Sequence, residues 1–176
     1  DFLRQIKDIF SPKGITVTDI NSGDPASLIA AARMIVIGGG DITALITKLN
    51  SLRTPGFDPF VAIKNRIGNG VPYMGWNEGS GIVSPKYFIP PATPVNSAID
   101  ASVFQIICNY TNNITNRNAI KNYLLNSLTV SKVICQVATL KSDKSGVRLE
   151  DDGAGMVESA TAPYPTVIRY KIVDGQ

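Results

Sequence analysis

The chain contains no histidine. Histidine is the usual general base that activates a serine or cysteine near neutral pH, so any nucleophilic chemistry here has to run without it. Cysteine is almost as scarce: Cys108 and Cys135 are the only two. Both lie in apolar runs, which fits buried thiols better than a disulfide framework. A zinc site would have to be built mostly from carboxylates, an uncommon ligand set, and neither a metal nor a cofactor is expected. No stretch reaches the roughly 18 to 20 uninterrupted apolar residues that a membrane-crossing helix needs. The opening residues, Asp1-Phe2-Leu3-Arg4-Gln5, lack the basic and then apolar order of a secretion signal. The 17 basic residues exceed the 14 acidic ones by a formal charge of +3, and they are scattered rather than gathered into a run that could follow a phosphate backbone. Neither nucleic acid nor membrane is an expected partner. The expected setting is the cytoplasm or an intracellular or viral assembly.

What is present fits one globular domain over residues 1–176, because 44% hydrophobic content at this length is enough to bury about two thirds of the unfolded surface. Phe2, Leu3, Ile6, Ile9 and Phe10 fall at helical spacing, and Ser11-Pro12-Lys13-Gly14 stops that helix. Alternation over 15–20 predicts a strand. A helix follows from near Asp24-Pro25 through Ala32, with aspartate as cap and proline in the first turn. The apolar strand 34–37 runs into Gly38-Gly39-Gly40, and Asp41 can cap a helix reaching about Leu49. A helix over 57–67 and a strand over 71–74 come next, then the turn Gly75-Trp76-Asn77-Glu78-Gly79-Ser80-Gly81. Residues 84–94 hold four prolines and predict an irregular loop; strands over 103–108 and 131–138 flank a helix over 117–128. Beyond Ser142 the segments 147–149 and 166–173 alternate, which predicts an antiparallel hairpin at the sheet edge.

Wholly apolar strands alternating with helices imply an α/β fold with a mostly parallel sheet, three layers deep, covered by helices on both faces. Functional groups in such folds gather at the carboxyl ends of strands, where both glycine turns lie. The triple glycine at 38–40 is by itself weak, since glycines there also serve close packing of strand against helix. A strand followed by Gly-Trp-x-x-Gly-x-Gly and a helix is more specific. It is the shape of a nucleophile elbow, whose small residues let the chain turn sharply and hold one side chain above the sheet.

At these residues a resemblance appears. Ile35-Val36-Ile37-Gly38-Gly39-Gly40-Asp41 followed by Leu45 resembles the signature of the peptidase E (aspartyl dipeptidase) family, where asparagine usually follows the glycine run. Tyr73-Met74-Gly75-Trp76-Asn77-Glu78-Gly79-Ser80 resembles that family's Tyr-Ile-Gly-Trp-Ser-Ala-Gly-Ala elbow, and Pro85 matches a proline beyond it. Phe104-Gln105-Ile106-Ile107-Cys108-Asn109-Tyr110 resembles the strand that ends in Pro-His-Phe or Pro-His-Tyr. The similarity covers about 14–138 and implies a class I glutamine amidotransferase-like fold.

The resemblance puts the nucleophilic serine on Asn77, the histidine on Asn109 and the later acidic residue near Ala138, so none of the three catalytic roles is filled. An amide is neither nucleophile nor base at neutral pH, and losing one triad member typically costs ~10⁴-fold. Changes at Asn77 and Asn109, together with the missing histidines, point to natural loss of serine chemistry. The implied oxyanion donors are backbone N–H groups near Gly39 or Gly40 and at Glu78. Glu78 stands where the family has a small residue; it either sets a carboxylate beside that anion site or, as expected here, faces solvent or caps the next helix. Ser80 or Ser84 with Glu78 as base would be a substitute nucleophile, but serines near a helix start are more often caps. Trp76 and Asp41 could line a vestigial pocket with Gly39, although a buried packing tryptophan is the plainer expectation. Asn109-Tyr110-Thr111 and Asn113-Ile114-Thr115 match glycosylation sequons and are expected to be loop only.

Members of that family begin with a strand and helix before the segment matching 14–20, so the chain is expected to be a piece of a longer polypeptide, or to have its sheet completed by a partner. The expected function is a non-catalytic structural or protein-interaction module in a larger protein or assembly, a virion included. The alternatives are a hydrolase of small acidic peptides or amides with altered chemistry, and a small-ligand sensor using the pocket around Gly39, Asp41 and Trp76.

Overall fold

The apolar stripe at positions 2, 3, 6, 9 and 10 forms α1 (Phe2–Phe10), whose residue Ile6 is buried. A short 3₁₀ turn (Ser11–Lys13) follows, with Pro12 in its first turn and Gly14 at φ 73°, so the helix stops where the sequence predicts. The computed structural model describes residues 2–92, 94, 98–102, 105–110, 113–127, 132–137, 145–149, 155–159 and 167–171. The strand predicted over 15–20 does not form. Ile15 is half exposed, and the Asp19 carboxylate accepts the Asn21 N–H at 2.9 Å to close a local turn. Alternation marks an apolar face, but a ladder partner is what makes a strand.

Three helices then start by one device. Asp24 accepts the Ser27 N–H at 2.9 Å ahead of α2 (Pro25–Ala31). Asp41 accepts the Ala44 N–H at 2.8 Å ahead of α3 (Ile42–Ser51). Asp58 accepts the Phe60 N–H at 2.9 Å ahead of α4 (Pro59–Gly68). Each carboxylate satisfies a donor that has no partner inside its helix. At Asp24, first the Ser27 hydroxyl and then the Ser27 N–H hold the carboxyl below its ordinary range. The α4 cap also explains why that helix begins at Pro59 and not at Phe57.

Strand β1 (Ile35–Ile37) runs parallel to β2 (Tyr73–Gly75), with Ile35 opposite Tyr73 and Ile37 opposite Gly75. Ile35 and Ile37 join Ile29, Leu49, Phe60, Ile63, Ile82 and Ile99 in one buried cluster. The β1–helix connections therefore bring α2, α3 and α4 onto the same apolar core. Downstream of β2 lies α5 (Glu78–Gly81).

A second cluster holds Phe88, Ile107, Tyr110, Ile120, Leu124, Val133 and Cys135. It joins β3 (Gln105–Tyr110), α6 (Ile114–Asn126) and β4 (Lys132–Val137), and β3 is parallel to β4. Cys135 is fully buried, as its apolar run predicts. α6 begins earlier than the predicted Arg117 because Asn113 accepts the Asn116 N–H at 2.8 Å and caps it there. The predicted strand and helix ends at Val103, Phe104, Leu128, Ser131 and Ala138 lie outside the described residues.

Strand β5 (Ser145–Leu149) pairs antiparallel with β6 (Gly155–Ser159), while β7 (Val167–Lys171) lies antiparallel to β4. The segments predicted to form one hairpin, 147–149 and 166–173, thus have different partners. Alternation fixes which face of a strand is apolar and leaves its neighbour open. The architecture is α/β, with helices and small parallel pairings. Among the described residues no helix is long and apolar enough to cross a membrane.

Candidate functional site

The β1–β2 pairing carries one step past β2, where the Trp76 N–H donates to the Ile37 carbonyl at 2.9 Å. The chain then reverses at Asn77, which has φ 50° and ψ −119°. Positive φ is costly for any residue with a Cβ and persists only where the surroundings over-determine it. Here they do. The Gly79 N–H donates to Trp76 O at 3.0 Å and the Ser80 N–H to Asn77 O at 2.8 Å. The Ser80 hydroxyl donates to Gly75 O at 2.7 Å, and the Tyr73 hydroxyl donates to Gly79 O.

The glycines around the turn are there because backbones meet. A Cβ on Gly75 would lie 2.5 Å from Ser80 Cα, and one on Gly79 would overlap the Ile37 carbonyl. A Cβ on Gly39 would lie 2.5 Å from Trp76 O and 2.7 Å from Glu78 Oε2. The glycine run after β1 and the elbow after β2 are therefore packed against each other below side-chain distance.

Glu78 uses that closeness. Its Oε2 accepts the Gly40 N–H at 2.7 Å, a charge-assisted bond across the two turns. The expectation that Glu78 faces solvent or caps α5 is overturned, because the reversal at Asn77 swings position 78 back over the glycine run. The same reversal leaves the Asn77 side chain exposed and without a capping hydrogen bond.

Trp76 is not a buried packing residue: it is 45% exposed. Its covered edge meets the Phe2 ring, with centroids 6.2 Å apart at 60°. Phe2 also presses on Gly38, where an added Cβ would lie 2.7 Å from the ring. The helical stripe of α1 was visible in the sequence, whereas its docking beside the elbow had no local signal. Asp41, named as a pocket residue, spends its carboxylate on the α3 cap.

The substitute nucleophiles are engaged elsewhere. Ser80 bonds Gly75, and Ser84 is fully buried with its Oγ accepting the Ile106 N–H at 2.9 Å. Asn109 lies in β3, and Ala138 lies outside the described residues. A separate open depression of about 540 Å³ is lined by Arg53, Thr54, Phe57, Asp58 and Val61, and no elbow residue borders it.

A strand, one residue forced to positive φ, a short helix and glycines where the chains cross define a nucleophile elbow on an α/β scaffold. On the sequence level this chain is similar to peptidase E. It is 33% identical to the Peptidase E of Citrobacter koseri over 87 residues, 48% of this chain and 35% of that protein. It is 27% identical to the Peptidase E of a Nostoc species over 117 residues, 63% of this chain and 46% of that protein. The Peptidase E of Salmonella newport is 26% identical over 118 residues, 64% of this chain and 49% of that protein. The chain thus spans about half the length, or less, of the curated relatives it matches. No family model matches the chain.

Proposed function

We propose that the chain is a catalytically degenerate peptidase E-like domain that acts as a structural or protein-interaction module within a larger protein or assembly. One observation carries this: the Glu78 carboxylate holds the Gly40 N–H, in the stretch Gly39 or Gly40 where the resemblance places an oxyanion-hole donor. An oxyanion hole works by aiming unspent donors at charge that develops in the transition state. A donor already bonded to a resident carboxylate is spent, and a second negative charge would be repelled.

The chemistry of the elbow agrees. Asn77 presents an amide where a serine would stand, and these 176 residues hold no histidine to activate a hydroxyl. Ser80 and Ser84 have structural bonds of their own. In this reading the fold is three-layered, with helices on both faces of a mostly parallel sheet and an antiparallel edge toward the C-terminus. The elbow is kept because the packing of Gly39, Gly75 and Gly79 depends on it.

Incubation with aspartyl dipeptides tests the reading, with free amino acids followed by chromatography. The expected result is no turnover above an Asn77→Ala control, and still none in Asn77→Ser, since a serine without a base gains little. Turnover that vanishes in Ser80→Ala would overturn it and favour the altered hydrolase.

A further inference from the structure

The elbow imposes on Asn77 a backbone geometry that ordinary secondary structure avoids and that one covalent reaction requires. Around the Cα–C bond of an L-residue, Cβ sits a third of a turn from the backbone nitrogen. At ψ −119° the nitrogen of the next residue therefore eclipses Cβ. In a helix or a strand, by contrast, that nitrogen is rotated well away from the side chain. Eclipse of Cβ by the following nitrogen is the torsion found inside a nearly planar five-membered imide ring. The Asn77 Cγ and the Glu78 nitrogen are the two atoms that would close it.

We propose that Asn77 is a self-modification site, at which the Glu78 amide nitrogen attacks the Asn77 side chain to form a succinimide. The Glu78 N–H gives its proton to solvent base, the nitrogen bonds to Cγ, and the Cγ–Nδ2 bond breaks as Nδ2 takes a proton back from solvent and leaves as ammonia. Water then opens the imide. Cleavage at Cγ leaves an aspartate at position 77, and cleavage at the main-chain carbonyl leaves an isoaspartate. Either product adds one carboxylate beside the Glu78–Gly40 contact, and the isoaspartate also adds one carbon to the turn.

Three further observations favour this position. The Asn77 side chain is exposed and makes no capping hydrogen bond, so it can rotate toward the nitrogen and water can reach it. The Glu78 N–H makes no backbone hydrogen bond among the described residues, so the attacking atom is not held elsewhere. The backbone is held at φ 50° and ψ −119°, so the ring's Cα–C torsion is set before reaction and only the side chain has still to rotate, which lowers the entropic barrier.

Asn69-Gly70 supplies an internal comparison. Glycine is the least hindered follower an asparagine can have, so an unfolded chain should react there first. In the folded chain Asn69 has ψ 16°, which turns the Gly70 nitrogen away from Cβ, and the Gly70 N–H donates to Ile67 O at 2.9 Å. Folding should therefore reverse the order of the two sites.

The test holds the intact chain at physiological temperature and pH, folded and in denaturant, and follows both peptides by mass spectrometry in heavy-oxygen water. The expected result is that the peptide with Asn77 gains the NH-to-oxygen mass difference and the heavy label several-fold faster than the Asn69 peptide when folded, and more slowly when denatured. Hydroxylamine, which cleaves at an imide, should cut the folded chain after position 77, and this cut should be absent in Asn77→Ser. Faster reaction at Asn69 in the folded chain, or no hydroxylamine cut after position 77, would overturn the proposal.

Discussion

The Glu78 carboxylate and the Gly40 N–H, 2.7 Å apart, tie together two turns separated by 38 positions in the sequence. Gly40 has φ 142°, a conformation few residues other than glycine tolerate, so the N–H is aimed by a backbone that only this residue type provides at low cost. The tie fixes the end of β1 to the residue that follows the elbow.

Removing that carboxylate should loosen both turns at once. Glu78→Ala is expected to lower stability by about 1 kcal/mol, less than a buried charge-assisted bond because the contact is open to water. Urea denaturation should show a lower midpoint with an unchanged slope, and the Gly40 amide should exchange faster with solvent. Glu78→Gln, which keeps an acceptor, should fall between the two. An unchanged midpoint in both variants would mean that the bond contributes nothing to holding the turns.

The glycines of the elbow should respond very differently from those elsewhere. Gly79→Ala places a methyl into the Ile37 carbonyl and is expected to cost upwards of ~3 kcal/mol or to prevent folding. Gly68, at the end of α4, has nothing within 4 Å of a new Cβ and no positive φ. Gly68→Ala is therefore expected to leave stability unchanged or to raise it by up to about 1 kcal/mol. Thermal melts of the pair separate steric demand from glycine's general entropic cost.

Near the second core, Tyr123 donates to Gln105 Oε1 at 2.8 Å, and Gln105, fully buried, donates through Nε2 to Lys86 O at 2.7 Å. Burial, and after it the charge on Asp100, raises the Tyr123 hydroxyl above its ordinary pKa. The folded state thus holds the phenol proton longer than the unfolded one. The resulting stability is complete below the unfolded value near ~10 and is lost as pH rises through the higher folded value. Tyr123→Phe should be less stable than the parent near neutral pH, because Gln105 loses a donor. The gap should narrow as melts are taken above about pH 10. A gap that stays constant or widens with pH would contradict this.

What the sequence disclosed follows the range over which its rules act. Asp24 and Asp41 cap helices through contacts three residues away and are read locally, whereas Asp58, acting over two residues, is passed over when the helix is begun at Phe57. The elbow was legible because Gly75 and Gly79 bracket Asn77 at a spacing that few turns share. Glu78 was misread because its partner lies on another strand's turn, and Trp76 because its exposure depends on where α1 docks. Residues 15–20 show the limit most plainly: their alternation is that of a strand, yet a ladder needs a neighbour that alternation cannot name. The separate partners of β5 and β7 make the same point.

Gly39, Gly75 and Gly79 bear the steric load of the elbow from beneath, with the Asn77 Cβ set against Gly39, while Asn77 as a residue remains exposed. The scaffold and what it displays are therefore separable: the turn works as a socket, indifferent to the chemistry mounted in it. A thiol installed through Asn77→Cys would be held off the sheet at an angle fixed by the backbone on both sides. That makes position 77 a mounting point for a spectroscopic probe whose orientation would report directly on the spacing between the ends of β1 and β2.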